Sequence, residues 1–297
     1  MQKLPNRQAL NVHNFQRSDV PVLTAIYARL HPKRPFTPTQ FHHYATQILE
    51  SNGRIWTATR TGQIIGYAVA APVPGLPGLL ELGGGIAPDV QRQGFGSKLL
   101  QHLIASLVNS DAKQIFHSVP TLDTPVARFL THHHFFVEHE ELHLQLDNLH
   151  TYALPFAPCT LHLADQQTAV SRFPVLYDES FIGTSWYQPY TSAEMAATLA
   201  PTDEMLFALQ DGIPFGFAWV RYTNKTTAEI EPFGVVKAWQ GQGYGRSLLN
   251  SVLAHLRQKG IRQVQLGVWT NNHIARRLYH QFDFQHQSTT TYLAYNL

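Results

Sequence analysis

Apolar and polar positions along this chain follow two periods, and the periods succeed one another in the same order in both halves. In the second half, strand-like alternation covers residues 160–163, 205–210, 214–222 and 228–236, with helical material at 165–199 between the first two. A helix is predicted at 244–259, where Tyr244, Leu248, Leu249, Val252, Leu253 and Leu256 form one apolar face. A strand at 262–269, a helix at 273–281 and one or two closing strands to Tyr295 complete the half. Strands in hairpin spacing, then strands alternating with helices, predict an α/β fold of the mixed α+β kind: a mostly antiparallel mixed sheet flanked by helices.

The shared order is an internal repeat. Gln91-Arg92-Gln93-Gly94-Phe95-Gly96-Ser97-Lys98-Leu99-Leu100 returns as Gln240-Gly241-Gln242-Gly243-Tyr244-Gly245-Arg246-Ser247-Leu248-Leu249, an offset of 149. Further on, Val126-Ala127-Arg128-Phe129-Leu130 and Phe136 match Ile274-Ala275-Arg276-Arg277-Leu278 and Phe284, with the offset now 148. Whole domains are repeated, and 297 residues exceed the size at which one core stops growing. The expected domains are 1–150 and 156–297, joined through a stretch at 148–158 that has two prolines and no clear period.

Composition narrows the possibilities. Apolar residues make up 44% of the chain, enough for two cores, while only 14% are charged, so Gln, His, Asn and Thr must supply much of the polar surface. The net charge of +2 comes without a basic block, which argues against a nucleic-acid partner. Residues 1–15 lack the apolar core of a secretion signal, and no stretch approaches the ~20 apolar residues that span a bilayer. A cytoplasmic protein with no membrane partner is expected. Cys159 is the only cysteine, which excludes an internal disulfide and a thiolate-rich zinc site; it reads as a small packed residue. His132, His133 and His134, with His139 and His143 beyond, do not read as ligands, because consecutive residues of a regular element cannot all face one ion. No metal is expected.

The glycine turn carries the candidate chemistry. In each half an apolar strand runs into Gln-x-x-Gly-x-Gly and then a helix, a geometry that aims backbone N–H groups and the positive end of a helix dipole at an anion. A pyrophosphate suits it. The phosphate-gripping lysine of a P-loop and the third glycine of a dinucleotide fingerprint are both absent. A single such turn could also be no more than a tight strand-to-helix connection.

These motifs resemble those of the GCN5-related N-acetyltransferase superfamily, whose signature is Arg/Gln-x-x-Gly-x-Gly/Ala followed later by Asn-x-x-Ala-x-x-x-Tyr. Here the second motif reads Asn272-His273-Ile274-Ala275-Arg276-Arg277-Leu278-Tyr279, with Asp283-Phe284 where Gly-Phe is usual. In the first half Thr131 stands in place of the tyrosine and the asparagine is missing. The chain is similar to tandem mycothiol-synthase-like proteins, in which one half often remains active.

The resemblance implies two tandem domains of this fold, the C-terminal one catalytic and the N-terminal one degenerate. It implies acetyl-CoA as acyl donor and a small-molecule or peptide amine as acceptor, attacked directly. The donor would be held in the second half by Phe233, Val235, Val236, Gln240, Gly241, Gln242, Gly243, Tyr244, Gly245, Arg246, Asn272 and Ala275. The corresponding positions in the first half are Ile86, Gln91, Arg92, Gln93, Gly94, Gly96 and Ser97. A main-chain N–H near Val235 is the expected donor to the carbonyl oxygen.

A lysine-like amine is mostly ammonium at neutral pH, so a base is needed. The resemblance places that base on the fourth strand, where Glu229 and Glu231, two apart, share a face; either could serve, or both could be ordinary edge carboxylates or ion-pair partners. Tyr279 is the matched proton donor to the thiolate, or else a packing aromatic. Trp186, Tyr187 and Tyr190 fall between the first helices of the second domain, where the resemblance implies an acceptor pocket; they line it, or are ordinary core or surface aromatics. An acyl-CoA-binding regulatory module without turnover is the alternative function. The expected assembly is a monomer containing an intramolecular pseudo-dimer, or a homodimer.

Overall fold

The computed structural model describes residues 10–297; residues 1–9, which carry part of the N-terminal reading, lie outside the described residues. The chain forms two compact units, one comprising residues up to Glu138 together with Tyr292–Leu297, the other His139–Thr291.

The first unit contains β1 (Leu10–Asn14), α1 (Val20–Leu30), α2 (Pro38–Glu50), β2 (Arg54–Arg60), β3 (Gln63–Pro72), β4 (Leu79–Ile86), α3 (Phe95–Leu107), β5 (Gln114–Val119), α4 (Pro125–His132) and the start of β6 (Phe136–Leu146). Strands β1 to β4 pair antiparallel in sequence order, and β5 joins β4 in parallel. On α3, Phe95, Leu99, Leu100, Leu103 and Leu107 pack on the sheet in a core with Trp56, Leu82, Ile115 and Leu293.

The second unit repeats the plan with β7 (Thr160–Leu163), α5 (Gln166–Phe181), α6 (Ser192–Thr198), β8 (Glu204–Gln210), β9 (Ile213–Tyr222), β10 (Thr227–Val235), α7 (Tyr244–Gln258), β11 (Gln263–Trp269), α8 (His273–Gln281) and β12 (Gln285–Asn296). Its sheet is mixed: β7 to β10 are antiparallel, β10 and β11 parallel, β11 and β6 antiparallel. The middle of β9 is buried without alternation because both faces of the sheet are covered. Leu248, Leu249, Val252, Leu253 and Leu256 of α7 cover one face. Phe173, Leu176 and Tyr177 of α5 cover Met205, Phe207, Phe217 and Trp219 on the other.

Two features depart from the pattern read along the chain. The material at 165–199 is two helices, α5 ending at Phe181 and α6 opening at Ser192 behind the Thr191–Glu194 capping box; Gly183, at φ +83°, lies in the connection. The compact units also do not coincide with 1–150 and 156–297. Residues Glu141–Leu146 of β6 pair with Val264–Trp269 of β11, and Leu144, Leu146 and Leu149 enter the α7 core. At the other end of the chain, Leu293 is fully buried beside Phe135 in the first unit's core. Each half thus contributes its closing strand segment to the other unit's core, a pairing that has no signature in local periodicity.

Candidate functional site

Residues 240–246 lead from β10 into α7. Gly241 and Gly243 have φ of +76° and +91°, and no atom lies within 4 Å of a Cβ built on either. Glycine is needed there for the left-handed backbone, and open space lies over the turn. The Gln240 side chain is engaged with the turn itself, its Nε2 donating to the Val235 carbonyl at 2.7 Å; Gln91 braces the first copy in the same way, donating to Ile86 at 2.8 Å. Gln242 donates to the Ala238 carbonyl at 2.9 Å, and Tyr244 packs against Phe215 and Trp239. Gly245 lies against Leu278 and Val235, and the Arg246 guanidinium sits over the Phe156 ring. In the first copy Arg92 takes the positive φ that Gly241 has in the second, and Gly94 keeps the left-handed cap. There Gln93 accepts from Arg60, Gly96 faces Phe129, and the Ser97 hydroxyl is 2.8 Å from His133 Nε2.

Beside this turn, β10 parts from its parallel neighbour. The β10–β11 ladder covers only Thr227–Glu229 with Gln263–Gln265. Just beyond it the β10–β9 register shifts between Ile230 and Phe233, an extra residue of the β-bulge type. Bulges of this kind re-aim side chains, and this one contains Glu231 and Pro232. The corresponding ladder of the first unit has no shift: β3 and β4 stay in register from Gly66–Ile86 to Pro72–Leu80. Past the last β4–β5 pair, His117 Nδ1 is hydrogen-bonded to the Leu82 carbonyl at 2.7 Å, so an imidazole bridges the strands where they would separate.

Glu231 is largely buried, and burial, then the charges of Glu141 and Glu229, pushes its carboxyl up to about 7; Arg221 opposes the shift. Glu229 stands opposite Arg221 in the β10–β9 ladder, so the two glutamates occupy different electrostatic settings. Tyr279 is 4% exposed, with its ring near Phe233 and Phe284. Burial, then the Glu231 charge, raises its hydroxyl well above the usual tyrosine range, so it keeps its proton at neutral pH. Val235 and Val236 are buried at the end of β10.

Asn272 caps α8, its Oδ1 accepting from the Ala275 amide at 3.1 Å. Thr124 does the same for α4, accepting from Ala127, so the first copy loses the asparagine but keeps the cap. The Thr131 hydroxyl donates to the Ala127 carbonyl of its own helix at 3.0 Å. Asp283, where glycine is usual in the motif, adopts φ +57°, a conformation acidic and amide residues tolerate better than most.

The connection between α5 and α6 brings aromatic side chains to this end of the sheet. Tyr187 donates to Asp178 at 2.7 Å and stacks on Tyr177, which in turn meets Tyr190 edge-on. The hydroxyls of Tyr177 and Tyr190 are both raised, chiefly by burial and in part by the Glu231 charge. Trp186 meets Trp269 edge-on, and His139 stacks on Trp269 with ring centroids 3.6 Å apart.

Glu141 is the functional candidate that sequence reasoning missed. It stands opposite Trp269 on β11, and its carboxylate reaches over Gly267. Lying in the half assigned to the degenerate domain, it carried no motif that could have singled it out. Among the described residues no group of three or more His, Cys, Asp or Glu side chains is arranged to hold a metal ion, and no helix is long and apolar enough to cross a membrane. Cys159 is half-buried and its thiol is raised, chiefly by burial.

Comparison with known proteins agrees with this geometry. Mycothiol acetyltransferase of Saccharopolyspora erythraea is 39% identical over 74 residues, covering 25% of this chain and 24% of the relative, so the match spans about a quarter of that relative's length. A GCN5-related N-acetyltransferase from Sphaerobacter thermophilus shares the fold with a TM-score of 0.64 at 17% identity, covering 99% of this chain and 97% of that one. A tandem GNAT protein from the clavulanic acid biosynthesis pathway does so with a TM-score of 0.63 at 17% identity, covering 97% and 98%. The acetyltransferase (GNAT) family model matches twice, at residues 21–135 and 163–284. With both matches together spanning most of its length, the chain belongs to the acetyltransferase (GNAT) family.

Proposed function

We propose that the second unit is an acyl-CoA-dependent N-acyltransferase that moves an acetyl group from acetyl-CoA to a primary amine by direct attack. The observation that carries this reading is Glu231: a carboxylate at the point where β10 leaves β11, with its proton affinity raised to about 7 and Tyr279 within its electrostatic reach. A binding module would need neither group. The open backbone at Gly241 and Gly243 suits a pyrophosphate, and the parting of β10 from β11 leaves room for an extended arm.

Acetyl-CoA supplies the activated acetyl group. Glu231 takes a proton from the incoming ammonium, directly or through water, so that the nitrogen can form its bond to the carbonyl carbon. The main chain near Val235 donates to the carbonyl oxygen as charge develops there, an effect worth roughly 3 kcal/mol in such sites. Tyr279 delivers its proton to the departing sulfur as the carbon–sulfur bond breaks, and the second proton of the acylated nitrogen, leaving through water, restores the tyrosine and yields the neutral amide. Glu229, matched to Arg221, helps set the field around Glu231. The first unit serves as a structural partner without turnover: its matching hydroxyl, Thr131, is bonded to its own helix, and its strands are bridged by His117.

Thiol release from acetyl-CoA in the presence of a panel of amines tests this reading. Release with at least one amine, abolished in Glu231→Gln, is the expected result. Binding of ATP in preference to acetyl-CoA, or acetyl-CoA binding without release for any amine, would overturn it.

A further inference from the structure

We propose that Glu141, carried by β6, is an acceptor-binding residue of the second unit, and that together with Glu231 it selects an amine that arrives as a cation and bears no anionic group near the nitrogen. The inference rests on the acyltransferase reading and goes beyond it in naming the acceptor's chemistry and a residue from outside the catalytic half of the sequence.

The geometry centres on Gly267. A Cβ built there would stand 2.3 Å from Glu141 Oε1 and 3.3 Å from Glu231 Oε2, so carboxylates from β6 and β10 converge over one α-carbon of β11. Real Cβ contacts do not come that close, so the Glu141 carboxylate can lie over this α-carbon only while residue 267 carries no side chain. The site lies where β10 has left the β11 ladder, next to the group proposed to accept the amine's proton.

The charges and rings around the pair favour a cation. Glu231 is faced by Glu141 from β6, by Glu229 on its own strand and by Arg221 from β9; Tyr177 and Tyr190 from the α5 side and Tyr279 from α8 lie within reach of its charge. Arg221 is held over the Trp219 ring at 4.5 Å and stands opposite Glu229. Among the groups that act on Glu231, two carboxylates raise its proton affinity and one guanidinium opposes them. Aromatic faces stabilise an ammonium and do not stabilise an anion, and Tyr177, Tyr190, Trp186 and Trp269 are grouped on this side. The Trp186 indole N–H is buried without an acceptor among the described residues, which suits a neutral hydroxyl or amide oxygen on the acceptor. An amino acid or a phosphorylated amino sugar would bring its own negative charge against two carboxylates, a like-charge contact that opposes binding.

Calorimetric titration of the full chain, without acetyl-CoA, compares putrescine with γ-aminobutyrate, which share the amine but differ in the charge at the far end. Putrescine is expected to bind more tightly, and Glu141→Gln is expected to weaken it by about 10- to 100-fold, the loss of one charge-assisted contact. Gly267→Ala, whose methyl group would push the Glu141 carboxylate aside and crowd that of Glu231 only slightly, provides a second variant with the same expectation. In turnover, Glu141→Gln should raise the amine KM far more than it lowers kcat and should leave acetyl-CoA affinity unchanged. Tighter binding of γ-aminobutyrate, or putrescine affinity unaltered in both folded variants, overturns the proposal. Putrescine binding that depends on Glu141 without any thiol release upholds it and counts instead against the acyltransferase reading.

Discussion

The carboxylates of Glu141 and Glu231 meet over Gly267, although the two residues stand 90 positions apart and fall in different copies of the sequence repeat. Burial, and after it the charge of Glu141, keeps a proton on Glu231 to a pH at which an ordinary glutamate would have lost it. That value suits the proposed role of Glu231 as a base near neutrality, which is where a general base works best.

The first prediction concerns the rate. A base must be deprotonated to act, so kcat/KM for the amine should climb with pH through about 7 and then level, and Glu231→Gln should remove that limb and lower the rate by about 10²- to 10⁴-fold. A pH series of steady-state rates checks it. An unchanged limb in the variant would assign the ionisation to another group.

The same residue links pH to stability. A carboxyl whose folded-state value is raised favours the folded state while protonated; this contribution is fully present below about 4.5 and is lost as pH rises through about 7. The loss is on the order of 3 kcal/mol for a shift of this size. Denaturant unfolding at acid and at mildly alkaline pH should therefore show a smaller decline in stability for Glu231→Gln than for the native chain. Equal declines would show that Glu231 titrates normally.

Tyr279→Phe should lower turnover by about 10²-fold while leaving the acetyl-CoA Kd within error, because the hydroxyl is assigned to the departing sulfur and not to the ground-state complex. Comparing kcat with calorimetric Kd separates the two effects. Full turnover in the variant would make Tyr279 a packing residue between Phe233 and Phe284.

Gly243→Val places a β-branched residue at φ +91°, a strained conformation, and sets a side chain in the open space over the turn. Acetyl-CoA affinity should fall by about 10-fold or more with the circular dichroism spectrum intact. The matching Gly94→Val change in the first unit should leave it unaltered, and calorimetry of the native chain should give one tight site. Two equal sites, or activity lost on Thr131→Ala, would show that the first unit also works.

The sequence by itself determined the repeat, the order of strands and helices, the glycine turns and the family, because each is written in local spacing: a period, a left-handed position, a cap. It also singled out Tyr279 as the candidate proton donor and Glu229 and Glu231 as the candidate bases. The preference for Glu231 proposed above rests on the bulge between Ile230 and Phe233 and on burial, which are properties of a strand packed among neighbours. Glu141 and Gly267 were illegible for the same reason. Antiparallel pairing of β6 with β11 is a long-range choice made by Leu144, Leu146 and Leu149 filling the α7 core, and nothing in the local alternation of residues 136–146 records which sheet the strand will join. The tertiary structure alone decided that a glutamate from the first half of the chain faces Glu231 of the second, because burying those leucines brings Glu141 over Gly267.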